Sequence, residues 1–283
     1  MTTSTVTAWE EAEIERANAS GLTPVVFVHG LWLLSSSWQR WRDLFEANGY
    51  TTIAPGWPDD AATVEEAFDH PEVFAHKKVQ AVTDHYLDAI KRLAKKPAVV
   101  GHSFGGLIAQ KIAGSGASVA TVSIDNAPFR GILPLPISSL KSSFPVLSNP
   151  ANYGKAIALT FDQFKYGWAN NLDEAEAKEL HETFHVPAPG LPLFQAAVSN
   201  FNPVSETRVD SKNPDRGPLL IIAGENDHTI PLAITEATFK LQSKRNPGVT
   251  EIERIPGRGH SLVIDSGWKE VADVAVSFIQ RFV

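Results

Sequence analysis

The residue with the clearest chemical potential is a serine between two apolar segments. Ser103 is the centre of a G-x-S-x-G pattern that runs from Gly101 to Gly105, directly after an apolar run and before an apolar helical face. A serine in this position lies on a tight turn that exposes its Oγ, and the glycines keep neighbouring backbone free of clashes. The alternative is a glycine-rich turn whose serine only caps the helix. The strand-turn-helix context favours a nucleophile, with the N–H of Phe104 directed at a developing oxyanion.

A serine hydroxyl needs an imidazole to accept its proton and a carboxylate to orient that imidazole. Three carboxylates follow apolar runs and could provide this acid: Asp227 and Glu225 after the run 219–224, and Asp125 after the run 122–124. Asp227 could also be only a turn former or a helix cap. These alternatives stay open on the residues alone.

The histidine best placed to act as the base is His260. It follows a predicted strand and lies in a loop loosened by Gly257 and Gly259, so it could reach the serine. A lone loop histidine is usually a surface residue, but a serine and an acid in register favour the catalytic interpretation. We expect His29 to be part of a strand-end turn and His228 to lie beside the acid. We expect three others at the surface: His70, His76 and His85.

A second motif has to be weighed, because residues 181–185 read H-E-x-x-H, the pattern of zinc proteases. His181 and His185 could share one face of a continuous helix, Glu182 could activate water, and Glu206 could be a third ligand. Pro187 follows at once, however, so the helix should end near His185. We therefore interpret the motif as a chance occurrence and expect no metal.

The elements that must position these residues alternate between strand and helix patterns. Apolar runs rich in β-branched residues predict strands at 24–28, 51–54, 98–101, 119–124, 219–223 and 249–255. Apolar residues at helical spacing predict helices around 79–93 and 271–282, and residues 8–17 also have a helical pattern. The chain is therefore predicted to be an α/β protein with a doubly wound, mainly parallel sheet.

Residues 129–216 interrupt this alternation. They contain many prolines and scattered large apolar residues, with a helix predicted at 172–182. We interpret them as an inserted, mostly helical cap on a catalytic core formed by residues 1–128 and 217–283.

The segments 26–30 and 101–106 resemble the α/β-hydrolase fold family, in its esterase and lipase branch. The resemblance extends from about residue 24 to the end of the chain. It implies Asp227 as the acid, the backbone N–H of Leu31 as the second oxyanion donor beside that of Phe104, and Trp32 in the acyl pocket. The helical pattern before Pro24 departs from the antiparallel hairpin that often opens this fold.

The resemblance and the apolar cap together imply a small or medium hydrophobic carboxylic ester as substrate, cleaved without a cofactor. We expect five side chains to line the pocket: Trp32, His102, Phe129, Phe164 and Trp168. The same triad would also serve a cofactor-free perhydrolase (a non-haem haloperoxidase), a lactonase or an amidase. A fourth alternative is a non-catalytic ligand receptor on the same fold.

The composition of the chain limits the kinds of partner, nucleophile and location that can be expected. The net charge is -7 and the basic clusters are short, so a nucleic-acid partner is not expected. There is no cysteine, which excludes a thiolate nucleophile, and no apolar run is long enough to cross a bilayer. Residues 1–21 lack a signal-peptide pattern, so the cytoplasm is the expected location. The oligomeric state stays open.

Overall fold

The computed structural model describes residues 6–283. Residues 1–5, part of the stretch 1–21 in which no signal peptide is expected, lie outside the described residues. Six parallel strands form the central sheet in the spatial order β2-β1-β3-β4-β7-β8. These strands are β1 (Pro24–Val28), β2 (Thr51–Ile53), β3 (Ala98–His102), β4 (Thr121–Ile124), β7 (Leu219–Gly224) and β8 (Thr250–Ile255).

The middle strands are buried along their whole length because helices cover both faces of the sheet. Every residue of β1, β3, β4 and β7 is buried. The register pairs Val26 with Val99 and Val100 with Val122, so β-branched side chains pack beside one another across the sheet. The predicted parallel α/β architecture is confirmed. In chain order, the first strand of the sheet is β1.

Eleven α-helices lie within residues 6–283. They are α1 (Ala8–Ser20), α2 (Gln39–Ala47), α3 (Val64–Asp69), α4 (Val79–Lys91), α5 (Phe104–Gly114), α6 (Ile137–Leu147), α7 (Phe161–Gly167), α8 (Glu174–Phe184), α9 (Leu191–Ala197), α10 (Leu232–Arg245) and α11 (Trp268–Ile279). The predicted terminal helix corresponds to α11, which buries Val271, Ala275 and Ile279 at helical spacing.

Helix α1 begins at a capping box, because Thr7 accepts from the Glu10 N–H and Glu10 accepts from the Thr7 N–H. The buried Glu10 carboxylate also lies 2.9 Å from Nε2 of His85 on α4. The expectation that His85 is a surface residue is therefore wrong. The position of His85 in an amphipathic helix could not show that Glu10, 75 residues away in the sequence, is its partner.

The segment between β4 and β7, residues 129–216, is called the insert below. It contains α6 to α9 and a two-stranded antiparallel ribbon of β5 (Ala156–Ile157) and β6 (Ala188–Pro189). Trp32, which follows β1, is bonded to the insert twice: its indole N–H donates to the Ile157 carbonyl at 2.9 Å, and its own carbonyl accepts from Val186 N–H at 3.1 Å. Within residues 6–283, no helix has the length and apolar character needed to span a membrane.

Candidate active site

Ser103 lies on the turn that joins β3 to α5. Its φ is 58° and its ψ is -122°, an uncommon conformation for a residue with a side chain. Its N–H donates to the Ile124 carbonyl at 2.9 Å, and its carbonyl accepts from the N–H groups of Gly106 and Leu107 as the helix begins. The sheet and the helix together hold the strained turn.

Two glycines permit the close approach of strands and helix around this turn. A Cβ on Gly101 would lie 2.1 Å from the Gly105 carbonyl oxygen, and a Cβ on Gly105 would lie 2.0 Å from the Val28 carbonyl oxygen. Both distances are far below van der Waals contact, so the G-x-S-x-G pattern is a steric requirement of this packing.

Ser103, His260 and Asp227 form a continuous chain of hydrogen bonds. Nε2 of His260 is 3.0 Å from Oγ of Ser103, and Nδ1 of His260 is 2.6 Å from Oδ2 of Asp227. All three residues are buried. The turn after β7 fixes the carboxylate, because Oδ1 of Asp227 accepts from the N–H groups of Thr229 and Ile230 at 2.6 and 2.8 Å. The arrangement has the order and geometry needed to transfer a proton from the serine to an oriented imidazole.

The other two candidate acids lie elsewhere. Glu225 is exposed. Asp125 is fully buried behind the triad, with φ 39°, and its Oδ1 accepts from the Gly224 N–H at 2.8 Å. Burial first, then the charge of Asp227 and a hydrogen bond with it, raise the pKa of Asp125 well above its ordinary value. The raised pKa favours the protonated, neutral form of the Asp125 carboxyl.

Two aromatic side chains enclose the His260 ring. Trp168 packs edge-to-face on it with ring centroids 4.6 Å apart, and the His102 ring lies 4.7 Å away. Nε2 of His102 donates to the His260 carbonyl at 3.0 Å. Burial first, then the nearby His260, lower the pKa of His102 well below its ordinary value, so its ring is neutral. Both residues, predicted to line the pocket, hold the imidazole in place.

The candidate oxyanion donors lie on either side of Ser103. Phe104 is the first residue of α5, where a backbone N–H has no partner within the helix, and Leu31 is buried in the turn after β1. Among the described residues, we find no hydrogen bond from the N–H of either Leu31 or Phe104. Trp32, the residue after Leu31, has a φ of 62°. The turn after β1 and the turn at Ser103 therefore each contain a residue in the left-handed region.

The remaining predicted pocket residues are buried in the apolar core. Phe129 and Phe164 are fully buried, and Phe164 stacks on Trp168 with centroids 5.8 Å apart. A cavity of about 10 Å³ lies beside Leu31 and Trp32 and also contacts residues 187–189 of the insert. This volume holds about one water.

One buried polar cluster, next to the turn that carries Leu31, was not predicted from the sequence. Oδ2 of Asp60 lies 3.1 Å from Nε2 of His29, and Oδ1 of Asp60 accepts from the Lys77 ammonium. Burial opposes ionisation of Asp60, but the hydrogen bond with His29 and the charge of Lys77 outweigh it and lower its pKa. The ring of His29, expected in a strand-end turn, also contacts the Gly30 carbonyl through Nδ1 at 2.9 Å. The cluster therefore fixes the turn that carries Leu31.

The H-E-x-x-H segment has a structural role at the end of α8. The helix ends at Phe184, so His185 already has extended backbone. Nε2 of His181 donates to the Leu159 carbonyl at 3.2 Å, and Nε2 of His185 accepts from the Leu159 N–H at 2.9 Å. Burial first, then His181, lower the pKa of His185 to about 3. Glu206 is engaged separately, because it accepts from the Gln80 N–H at 3.0 Å.

Among residues 6–283, one group of potential metal ligands comes together: His102, Asp125 and His260, whose ligand atoms lie within 4.8 Å of one another. Both ring nitrogens of His260 are already bonded, to Asp227 and Ser103. The lowered pKa of His102 and the raised pKa of Asp125 both favour the neutral forms, so the group has little negative charge to attract a cation. These residues fit the surroundings of a triad better than a metal centre.

The search of solved structures finds similar folds among hydrolases. The monoacylglycerol lipase of Paleococcus ferrophilus aligns with 20% identity and a TM-score of 0.64, over 92% of this chain and 95% of that one. An extracellular alpha/beta-hydrolase from a Paenibacillus species aligns with 21% identity and a TM-score of 0.63, over 90% and 98%. A pyrethroid hydrolase from Sphingobium faniae aligns with 16% identity and a TM-score of 0.61, over 90% and 96%.

At these identities the similar structures show the fold alone. No curated protein matches the sequence significantly. The profile of the alpha/beta hydrolase family, however, matches residues 25–274, which is most of the chain and contains Ser103, Asp227 and His260. The expected fold and the resemblance are both confirmed: the chain belongs to the alpha/beta hydrolase family.

Proposed function

We propose that the protein is a serine hydrolase that cleaves a carboxylic ester through an acyl-enzyme on Ser103. The observation that carries this proposal is the chain of hydrogen bonds from Ser103 through His260 to Asp227, at 3.0 and 2.6 Å. In family members with such a chain, the imidazole accepts the serine proton while the carboxylate stabilises the resulting cation.

In the proposed reaction, Ser103 Oγ attacks the ester carbonyl as its proton passes to Nε2 of His260. The tetrahedral oxyanion accepts hydrogen bonds from the N–H groups of Leu31 and Phe104. The C–O bond to the alcohol then breaks, and His260 returns its proton to the departing oxygen. A water molecule, deprotonated by His260, then attacks the acyl-enzyme; the bond between the acyl carbon and Oγ breaks, His260 returns the proton to Oγ, and the acid is released.

The substrate class we propose is a small to medium hydrophobic ester. The candidate pocket around Trp32, Phe164 and Trp168 is apolar and buried, and such walls favour apolar acyl groups. The similar structures include a monoacylglycerol lipase and pyrethroid hydrolases, which agrees with an ester substrate. We further propose that residues 1–128 and 217–283 are the catalytic core and that the insert is its cap.

The test is the intact mass of the protein after incubation with a serine-directed fluorophosphonate. We expect one adduct on the wild type and none on Ser103→Ala. Ser115→Ala, a serine at the end of α5 whose hydroxyl bonds to the Ile112 carbonyl, is the matched control and should be labelled normally. Hydrolysis of p-nitrophenyl esters of increasing chain length should fall about 10⁶-fold in Ser103→Ala. A folded wild type that forms no adduct and hydrolyses no ester would contradict the proposal.

A further inference from the structure

The exposed apolar side chains of the protein are concentrated on the insert. Among the described residues, nine of the fourteen large apolar side chains with high exposure belong to residues 129–216, which form less than a third of the chain. Scattered exposed apolar residues are normal, whereas a concentration of them marks a surface that binds something. The insert therefore has two apolar sides, one that covers the candidate active site and one that faces outward.

Helix α6 shows this outward side most clearly. Ile137, Leu140 and Phe144 occur at i, i+3 and i+7, which places them on one face of the helix. Ile137 is 84% exposed and Phe144 is 66% exposed. An amphipathic helix normally buries its apolar stripe, but α6 presents this stripe to the solvent, with Lys141 beside it at i+4.

The surface continues on both sides of α6. Leu133 and Leu135 precede the helix and are exposed. The backbone next to Leu133 is bonded to the loop after α9, because Asn200 donates to the Ile132 carbonyl at 2.8 Å. That loop carries Phe201, which is 88% exposed. The apolar face is defined here as six residues: Leu133, Leu135, Ile137, Leu140, Phe144 and Phe201.

The charge around the apolar face differs from that of the rest of the protein. The chain has a net charge of -7, yet no Asp or Glu occurs between residues 126 and 161 or between residues 183 and 205. These two segments contain Arg130, Lys141 and Lys155 as their only Lys or Arg residues. An exposed apolar helix face flanked by basic residues matches an interface whose outer layer is negative and whose interior is apolar.

We propose that the apolar face binds the surface of a membrane that contains anionic phospholipids, with its large side chains inserted among the headgroups and acyl chains. A second copy of the chain fits less well, because a twofold contact would bring the same basic surface, with Arg130 and Lys141, from both molecules together without acidic groups to balance it. The proposal does not depend on the catalytic role of Ser103, since the face lies on the outside of the insert. It would place the insert, and the candidate active site beneath it, next to lipid.

The experiment is flotation of the full chain with vesicles of phosphatidylcholine alone or with about a quarter phosphatidylglycerol. We expect binding to the anionic vesicles that weakens at high salt. Ile137→Ser, Phe144→Ser and Phe201→Ser change exposed side chains and should each reduce partitioning by about tenfold. Leu22→Ser, at an exposed apolar position outside the insert, is the matched control and should bind like the wild type.

A charge pair of variants tests the electrostatic part. Lys141→Gln with Lys155→Gln should reduce binding to anionic vesicles about tenfold or more, whereas Lys240→Gln with Lys244→Gln on α10 should leave it unchanged. The melting temperature of each variant shows that folding is retained. Three results would overturn the proposal: no binding to either vesicle, binding that the apolar-face variants do not change, or a dimer in solution that those variants dissociate.

Discussion

Two carboxyl groups lie near one imidazole in this protein, and hydrogen bonding separates their roles. Asp227 bonds to Nδ1 of His260 and accepts from two backbone N–H groups, whereas Asp125 accepts from one, and burial and the charge of Asp227 raise the pKa of Asp125. A neutral acid cannot stabilise an imidazolium by charge, but it can donate to the carboxylate that does. We therefore infer that Asp125 is a positioning residue for Asp227.

The first prediction compares the two aspartates by amide replacement. Asp227→Asn should lower kcat/KM for a p-nitrophenyl ester by about 10⁴-fold, because an amide cannot stabilise the imidazolium or fix the tautomer of His260. Asp125→Asn should cost less than about tenfold, since its amide can still donate to Asp227 and accept from Gly224. Steady-state kinetics of both variants check this. Equal losses would contradict the assignment, and a larger loss in Asp125→Asn would reverse it.

The second prediction concerns the pH dependence of stability. In the folded protein the pKa of Asp125 is raised, so its carboxyl keeps a proton that the unfolded chain releases above about pH 4. Unfolding then releases a proton, and the stability of the wild type falls as pH rises from about 4 towards the folded pKa. Asp125→Asn removes this dependence. The free energy of unfolding of the variant should therefore increase relative to the wild type over this range.

Urea unfolding at a series of pH values measures that difference. Asp162→Asn, at an exposed position in α7, controls for the loss of one carboxyl group. A constant difference between Asp125→Asn and the wild type from pH 4 to pH 8 would mean that the carboxyl titrates normally in the folded protein.

Sequence reasoning at the residue scale identified groups near strand ends but not their long-range partners. Ser103 and His260 were named from the elements that precede them and Asp227 from the family resemblance, and the structure brings the three within hydrogen-bond distance. The raised pKa of Asp125 and the pairing of Asp60 with Lys77 were not foreseen. Both depend on which side chains meet in the folded core, and neither strand nor helix periodicity encodes that contact.

At the scale of elements, the site depends on how closely α5 approaches the sheet. Gly105→Ala should destabilise the protein by several kcal/mol, because its Cβ would lie 2.0 Å from the Val28 carbonyl oxygen and would push α5 from β1. Thermal unfolding checks the prediction. Gly257→Ala is a matched control, since its Cβ would meet nothing within 4 Å and only its φ of 69° opposes the change, which should cost about 1 kcal/mol. Similar losses in the two variants would show that packing at Gly105 is looser than this distance indicates.

The elements predicted from sequence are those with a strong period. The buried strands β1, β3, β4 and β7 were recognised because β-branched and other apolar residues dominate each of them. The β5–β6 ribbon was not predicted, because each strand has two residues and one of them is Pro189. The apolar residues of α6 were interpreted as part of the cap, and their exposure to solvent was not predicted. A helical period shows which residues share a face but not which way that face points.

At the scale of the whole molecule, the residues of the candidate active site are almost completely buried. Ser103 is 4% exposed, His260 is buried, and the cavity beside Leu31 has room for about one water. Pockets that hold a small organic ligand measure about 300 Å³ or more. We infer that an ester reaches Ser103 when the insert moves, and that the two hydrogen bonds between Trp32 and the insert oppose this movement.

The last prediction tests this movement at Trp32. Trp32→Phe keeps an aromatic ring but removes the indole donor that bonds to the Ile157 carbonyl at 2.9 Å. The loss of one such bond, worth about 1 kcal/mol, should raise the open population about fivefold. Fluorophosphonate labelling of Ser103 should then be about fivefold faster, with both short-chain and long-chain probes, because opening precedes both reactions.

Trp41→Phe is the control for this measurement, because it removes an equivalent indole bond, to the Val263 carbonyl at 2.9 Å, within the core. It should lower stability without faster labelling. If only the long-chain probe reacts faster with Trp32→Phe, then Trp32 limits the size of the acyl pocket and not the opening of the insert. If neither probe reacts faster, the bond to Ile157 does not hold the insert closed. If both probes label Trp32→Phe faster, then the core and the insert separate as units, with the turn after β1 as their point of attachment.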